Sequence, residues 1–160
     1  MNKLDHDLLL LSRIQGRIFE LSLSNEESSP VFIRRFMNSD VADRMDRGFF
    51  LNTSQSETQV IEEINEQYGP SNFGQEKYTK DELYWIGYVY RYWAYIYKMS
   101  SSQIYRIAPA SKMRQVYPVY HSLDPANAAE RIMEAEGYTP LLSDEDKNRK
   151  LEELIRQMYQ

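Results

Sequence analysis

Cysteine is absent from this 160-residue chain, which rules out disulfides, thiolate metal ligands and a catalytic thiol. A cysteine-free chain fits a reducing compartment, so the expected localisation is cytoplasmic. Histidine is scarce, with only His6, read as solvated at the polar start of the first helix, and His121. No HExxH, GxSxG or carboxylate-rich metal motif occurs, so neither a metal nor a cofactor is expected. The glycines of the Gly69–Gly74 loop flank no GxxxxGK or GxGxxG pattern, so it is not a phosphate loop. Long apolar runs are missing too. Leu8–Leu11 is too short for a signal-peptide core, is flanked by acids and precedes no small-residue cleavage site.

Aromatic residues, by contrast, are concentrated. The stretch Tyr84–Tyr97 reads YWIGYVYRYWAYIY, with Arg91 as its one charged side chain. The tyrosines at 88, 90 and 92 suggest β alternation, but the start of the segment decides for a helix. Thr79-Lys80-Asp81-Glu82 is a capping box, and its two acids suit the positive end of a helix dipole. The run to Met99 contains no proline, stops at Ser100-Ser101-Ser102, and exceeds the roughly 3–10 residues of a strand. On a helical wheel Gly87, Arg91, Ala94 and Lys98 share one side, where the small residues would admit a second helix closely. The rest is apolar nearly all round, as expected of a buried helix. Six phenols and an arginine would be costly at a bilayer centre, so no membrane association is expected.

The flanking chain is also helical in pattern. Leu4, Leu8, Leu11, Ile14, Ile18 and Leu21 form a stripe over 3–23. Ser29-Pro30 reads as an N-cap followed by proline at the first helical position, with Phe32 and Phe36 facing inward. Ser39 caps a short helix to Met45, Phe49-Phe50-Leu51 forms an apolar plug, and Ser56-Glu57-Thr58-Gln59 is a second capping box. The 68–74 segment is the longest loop signal and reads as an interior hinge. Helices are expected from Ser101 or Ser102 to Arg106 and from Ala110 to Tyr117, with 117–121 an extended turn at Pro118. Asp124-Pro125 opens a helix ended by Gly137, and Ser143 caps a last, highly charged one over about 143–159 that packs loosely or only on a partner. The expected fold is all-α: one compact domain over 1–160, with about seven or eight helices around the aromatic helix at about 80–99.

Charge is uneven. Leu83 to Leu123 holds five basic residues (Arg91, Lys98, Arg106, Lys112, Arg114) and none of the chain's 24 acids. These cations either pair with the domain's own acidic helices or form a binding surface. The candidate surface is Arg91, Lys98, Arg106, Arg114, Tyr117, Tyr120 and His121, with the terminal helices a second candidate. Tyrosines beside arginines suit nucleic acid or other anions, although no nucleic-acid-binding fold motif is present and the net charge is −5. Thirteen tyrosines, seven methionines and solitary arginines suit a protein interface better. A homo-oligomer would use the same surfaces. His121 and Asp124 are the one catalytic-looking pair, yet Asp124 is explained as an N-cap and no nucleophile accompanies them. No catalytic residue is assigned, and an enzyme is not expected.

Three blocks carry a resemblance: PVFIRRFMNSDVADRMD, YGPSNFGQEKYTKDELYWIGYVYRYWAYIY and SSSQIYRIAPASKMRQVYPVYHSLDPANAAERI. Over about Ser29 to Ile132 the chain resembles a small family of uncharacterised bacterial cytoplasmic proteins. Its members are often encoded near ADP-ribosyltransferase-like genes in toxin–antitoxin-type operons. The resemblance implies an antitoxin or accessory protein that binds and blocks a partner toxin; it supplies no functional residues.

Overall fold

The computed structural model describes residues 3–48, 55–139 and 156–158. The Phe49-Phe50-Leu51 plug and the helix expected over about 143–159 lie outside the described residues, apart from a helical turn at 156–158. The described chain is all-α, with no strand among its residues. Its helices are α1 (Lys3–Leu21), α2 (Ser29–Met37), α3 (Asp40–Asp46), α4 (Glu57–Tyr68), α5 (Lys80–Tyr97), α6 (Ser101–Ile107), α7 (Ala110–Tyr120) and α8 (Pro125–Ala135). A 3-10 turn, Ser22–Ser24, follows α1.

The aromatic stretch forms α5, and α5 is the centre of the packing. Both expected capping boxes are present: Thr79 Oγ1 accepts from the Glu82 N–H and Ser56 Oγ from the Gln59 N–H. A third, Ser100 with Gln103, caps α6, which begins at Ser101 as expected. Ser28 rather than Ser29 caps α2, its hydroxyl accepting from the Val31 N–H. This frees Ser29 to accept from the N–H of Tyr78.

The close approach anticipated at Gly87 is made by α1. A Cβ on Gly87 would lie 2.7 Å from the Gln15 carbonyl oxygen, and one on Gly16 would lie 2.7 Å from the Tyr84 ring. Gln15 meets Gly87 and Arg91 while Gly16 meets Tyr84, so α1 and α5 run antiparallel. Phe19 of α1 then reaches an aromatic centre, edge-on to Phe32, Phe36 and Tyr90 at 5.5, 5.0 and 6.3 Å. Trp93 is fully buried on α5, and α6, α7 and α8 also pack against α5.

One expected boundary is overturned. The 117–121 stretch is not an extended turn: α7 continues through Pro118 to Tyr120. Proline inside a helix removes one hydrogen bond and crowds the carbonyl four residues back, here that of Arg114. With only two further helical residues to follow, the cost is confined to the last turn. The His121 N–H still donates to the Tyr117 carbonyl at 2.9 Å, and the Leu123 N–H to that of Tyr120 at 3.0 Å.

The expected hinge is a clasped strap. The Phe73 and Glu76 carbonyls accept from the Ser28 and Ser29 N–H groups, and Lys77 Nζ donates to the carbonyls of Asn25 and Glu27. These bonds deliver the chain to the start of α5 at a set position.

Candidate interaction site

The seven residues expected on one surface separate into five places. Arg91 is the clearest correction, because it is 2% exposed and belongs to no surface. The small residues around it draw α1 in, and the same approach seals the guanidinium inside. Its Nη1 donates to Asp46 Oδ1 at 2.7 Å, its Nη2 to Ser101 Oγ at 2.9 Å and its Nε to Gln15 Oε1 at 2.8 Å. Asp46 also accepts from the Ser101 N–H and hydroxyl. Burial pulls the Arg91 pKa down, against the upward pull of Asp46. This network ties α1, α3, α5 and α6 together.

Lys98 lies at the far end of α5, exposed and in the left-handed conformation (φ 52°) that ends the helix. It lines a 590 Å³ groove with Asp5, Asp43, Asp46 and Arg47. Arg106 is exposed on α6, its Nε 3.4 Å from the Ser102 carbonyl. Tyr120 is partly buried and packs against the core.

Only Arg114, Tyr117 and His121 share a stripe, at spacings of three and four along α7. That stripe faces the N-terminal half of α5. Arg114 is committed within the fold: Nε lies 3.3 Å from Glu82 Oε2, Nη1 lies 3.2 Å from Glu76 Oε1, and the guanidinium sits 4.6 Å over the Tyr78 ring. Burial pushes the Glu82 carboxyl up, but hydrogen bonds from Thr79 and the Arg114 charge hold it below its ordinary value. Lys112, the fifth cation, pairs with Glu136 at 3.0 Å.

The Tyr117 and His121 rings stack at 4.7 Å, with Trp85 edge-on to Tyr117 at 5.6 Å. A helical Tyr117–His121 turn is what places the two rings one above the other. His121 Nδ1 lies 2.9 Å from the Tyr117 carbonyl and so carries the proton in the neutral ring, leaving Nε2 as an acceptor. Together with Tyr84, Glu20 and Asp81, these side chains line an open groove of 310 Å³.

The aromatic floor extends beyond this groove. Tyr84, Tyr88 and Tyr92 fall on one stripe of α5, their rings 6.0 and 6.2 Å apart. All three are half-buried. Burial raises the Tyr88 and Tyr92 pKa values. Tyr84 and Asp124 add to the rise at Tyr88, where Arg13 opposes it, and Asp124, Tyr88 and Asp5 add to it at Tyr92. The ladder therefore runs between α1 and the start of α8, near Asp5, Arg13 and Asp124.

Glu20, Asp81, Tyr84 and Trp85 were not anticipated as site residues. Asp81 lies within the Thr79 box and half-buried Trp85 one turn after it, so their place at the start of α5 was legible. Glu20 was not, because only the antiparallel register of α1 on α5 brings it there. Among the described residues no group of three or more His, Asp or Glu could hold a metal ion. The His121 and Asp124 pair is divided by role: His121 bonds to the Tyr117 carbonyl and Asp124 Oδ1 accepts from the Ala126 N–H. No helix among the described residues is long and apolar enough to cross a membrane.

No family model, curated protein or solved structure matches the chain.

Proposed function

We propose that the protein is an interaction module that binds another protein through the groove between α1, α5 and α7. The observation that carries this reading is the cluster of Tyr84, Trp85, Tyr117 and His121, half-buried or exposed around an open groove and held by three packed helices. Tyrosine and tryptophan concentrate at interface centres, where a rigid ring buries a large area at little entropic cost. The rings are held in place already: Gly16 fits against Tyr84, Trp85 abuts Tyr117, and Tyr117 is stacked with His121. Such preorganisation lowers the ordering cost of binding.

The sequence resemblance adds the kind of partner, a toxin that the module binds and neutralises as an antitoxin or accessory protein in the cytoplasm. It rests on the three quoted blocks. Anion or nucleic-acid binding by the basic stretch is less favoured, since Arg91 is buried and Lys112 and Arg114 are already paired with carboxylates.

The test is capture of partners on the tagged chain from a bacterial lysate, at moderate salt and after nuclease treatment. The comparison is with Tyr117→Ala and His121→Ala, whose folding is checked by thermal melting. A discrete protein retained by the wild type and lost from both folded variants supports the reading. Equal retention by the variants, or recovery of nucleic acid alone, contradicts it.

A further inference from the structure

We infer that the groove receives a cationic side chain, an arginine or lysine of a basic segment in the partner protein. This rests on the reading of the groove as a protein-binding site and specifies what enters it. The rings of Tyr84, Trp85 and Tyr117 line it together with two carboxylates, Glu20 and Asp81. Aromatic faces attract cations through their quadrupoles, tryptophan most strongly. The chain's own ion pairs nearby engage Glu57, Glu76 and Glu82, but not Glu20 or Asp81, among the described residues.

Two positive charges of this region are engaged elsewhere. Arg114 is on the groove's own helix, yet its guanidinium is drawn to Glu76, Glu82 and the Tyr78 ring. Arg17 on α1 is held by Glu57 at 3.0 Å. The groove is lined by two carboxylates and aromatic rings. An anionic occupant would meet repulsion from both acids. The volume of 310 Å³ lies at the small end of the roughly 300–1,000 Å³ of ligand pockets, suited to one long side chain rather than a cofactor. An arginine fits best, because its plane can lie on an aromatic ring while its N–H fork reaches a carboxylate. The same acids would repel a phosphate backbone, which separates this occupant from nucleic acid.

The test titrates the full chain with blocked hexa-arginine, hexalysine, hexaglutamate and a neutral Gly-Ser hexapeptide, reading tryptophan emission. Trp85 lies in the groove and Trp93 is buried, so the Trp85→Phe variant shows whether a change arises at the site. Expected is a saturable change with hexa-arginine, a weaker one with hexalysine and none with the other two. Glu20→Gln combined with Asp81→Asn should weaken it by about tenfold, a factor that a lost charge-assisted contact readily supplies. Glu66→Gln, on the exposed face of α4, should leave it unchanged. Equal loss in Glu66→Gln, indifference to the Glu20 and Asp81 changes, or binding of hexaglutamate overturns the inference. If these titrations fail while Tyr117→Ala still abolishes capture of a protein, the groove binds a partner by other chemistry. If capture also survives in Tyr117→Ala, the protein-binding reading of the groove falls as well.

Discussion

Removing the Asp46 carboxylate would leave the Arg91 guanidinium buried without its charge partner, so Asp46→Ala should cost about 3–5 kcal/mol. Arg91→Met should cost less, because Asp46 would keep its two donors from Ser101 and is itself 13% exposed. Denaturant midpoints at constant m-value check the order, and an Arg91→Met variant less stable than Asp46→Ala would contradict it. Gly87 gives a second test. An added methyl would press on the Gln15 carbonyl at 2.7 Å and the Phe19 ring at 2.8 Å, and backbone cannot swing aside. Gly87→Ala should therefore destabilise by about 1–3 kcal/mol despite alanine's better helix propensity. Arg91 also marks where residue-level reading ends. Its polarity suggested a surface, but its partners lie 45 positions away at Asp46 and 76 away at Gln15. Nothing local announces them; Gly87 and Ala94 announced only that a helix would come close.

Helix starts were legible because a cap is settled within four residues. The Thr79 and Ser56 boxes stand where the sequence places them, while the cap of α2 falls on Ser28, one residue before the expected Ser29. In the clusters at 28–29 and 100–102 the serine just inside the helix is needed elsewhere: Ser29 for Tyr78, and Ser101 for Asp46 and Arg91. Thr79→Ala should cost about 1 kcal/mol, read in thermal or denaturant unfolding. A loss well beyond that would mean that Glu82 also needs the Thr79 hydroxyl to hold Arg114. On propensity alone Pro118 bends or ends the helix. The continuation to Tyr120 keeps His121 stacked on Tyr117, so an error of one helical turn in the sequence reading concealed the groove's geometry.

Across the whole molecule, the five cations of the central segment and the surrounding acids largely neutralise one another. What remains distinctive is tyrosine. Burial raises the pKa of Tyr78 and Tyr97 to about 12, Glu76 adding to the rise at Tyr78 and Glu130 at Tyr97. Each is held protonated in the fold above its unfolded value of 10.0, so its stabilising contribution is complete below pH 10 and is lost as pH rises through about 12. Stability should fall across that window, with phenolate absorbance rising together with loss of helix. Phenolate appearing at those two residues while the helices persist would contradict the burial described. At this scale the all-α class followed from periodicity and caps. The groove did not, because it needs the register of α1 on α5 and the packing of α7 against α5.

The central claim concerns which surface a partner covers, and oxidative footprinting of the chain with and without its captured partner tests it most directly. Trp85, Tyr117 and His121 should be labelled in the free protein and protected in the complex, with buried Trp93 silent in both. Protection confined to Phe73, 74% exposed on the 69–79 strap, or to the Lys98 end of α5, with Trp85 and Tyr117 still reactive, would contradict the account.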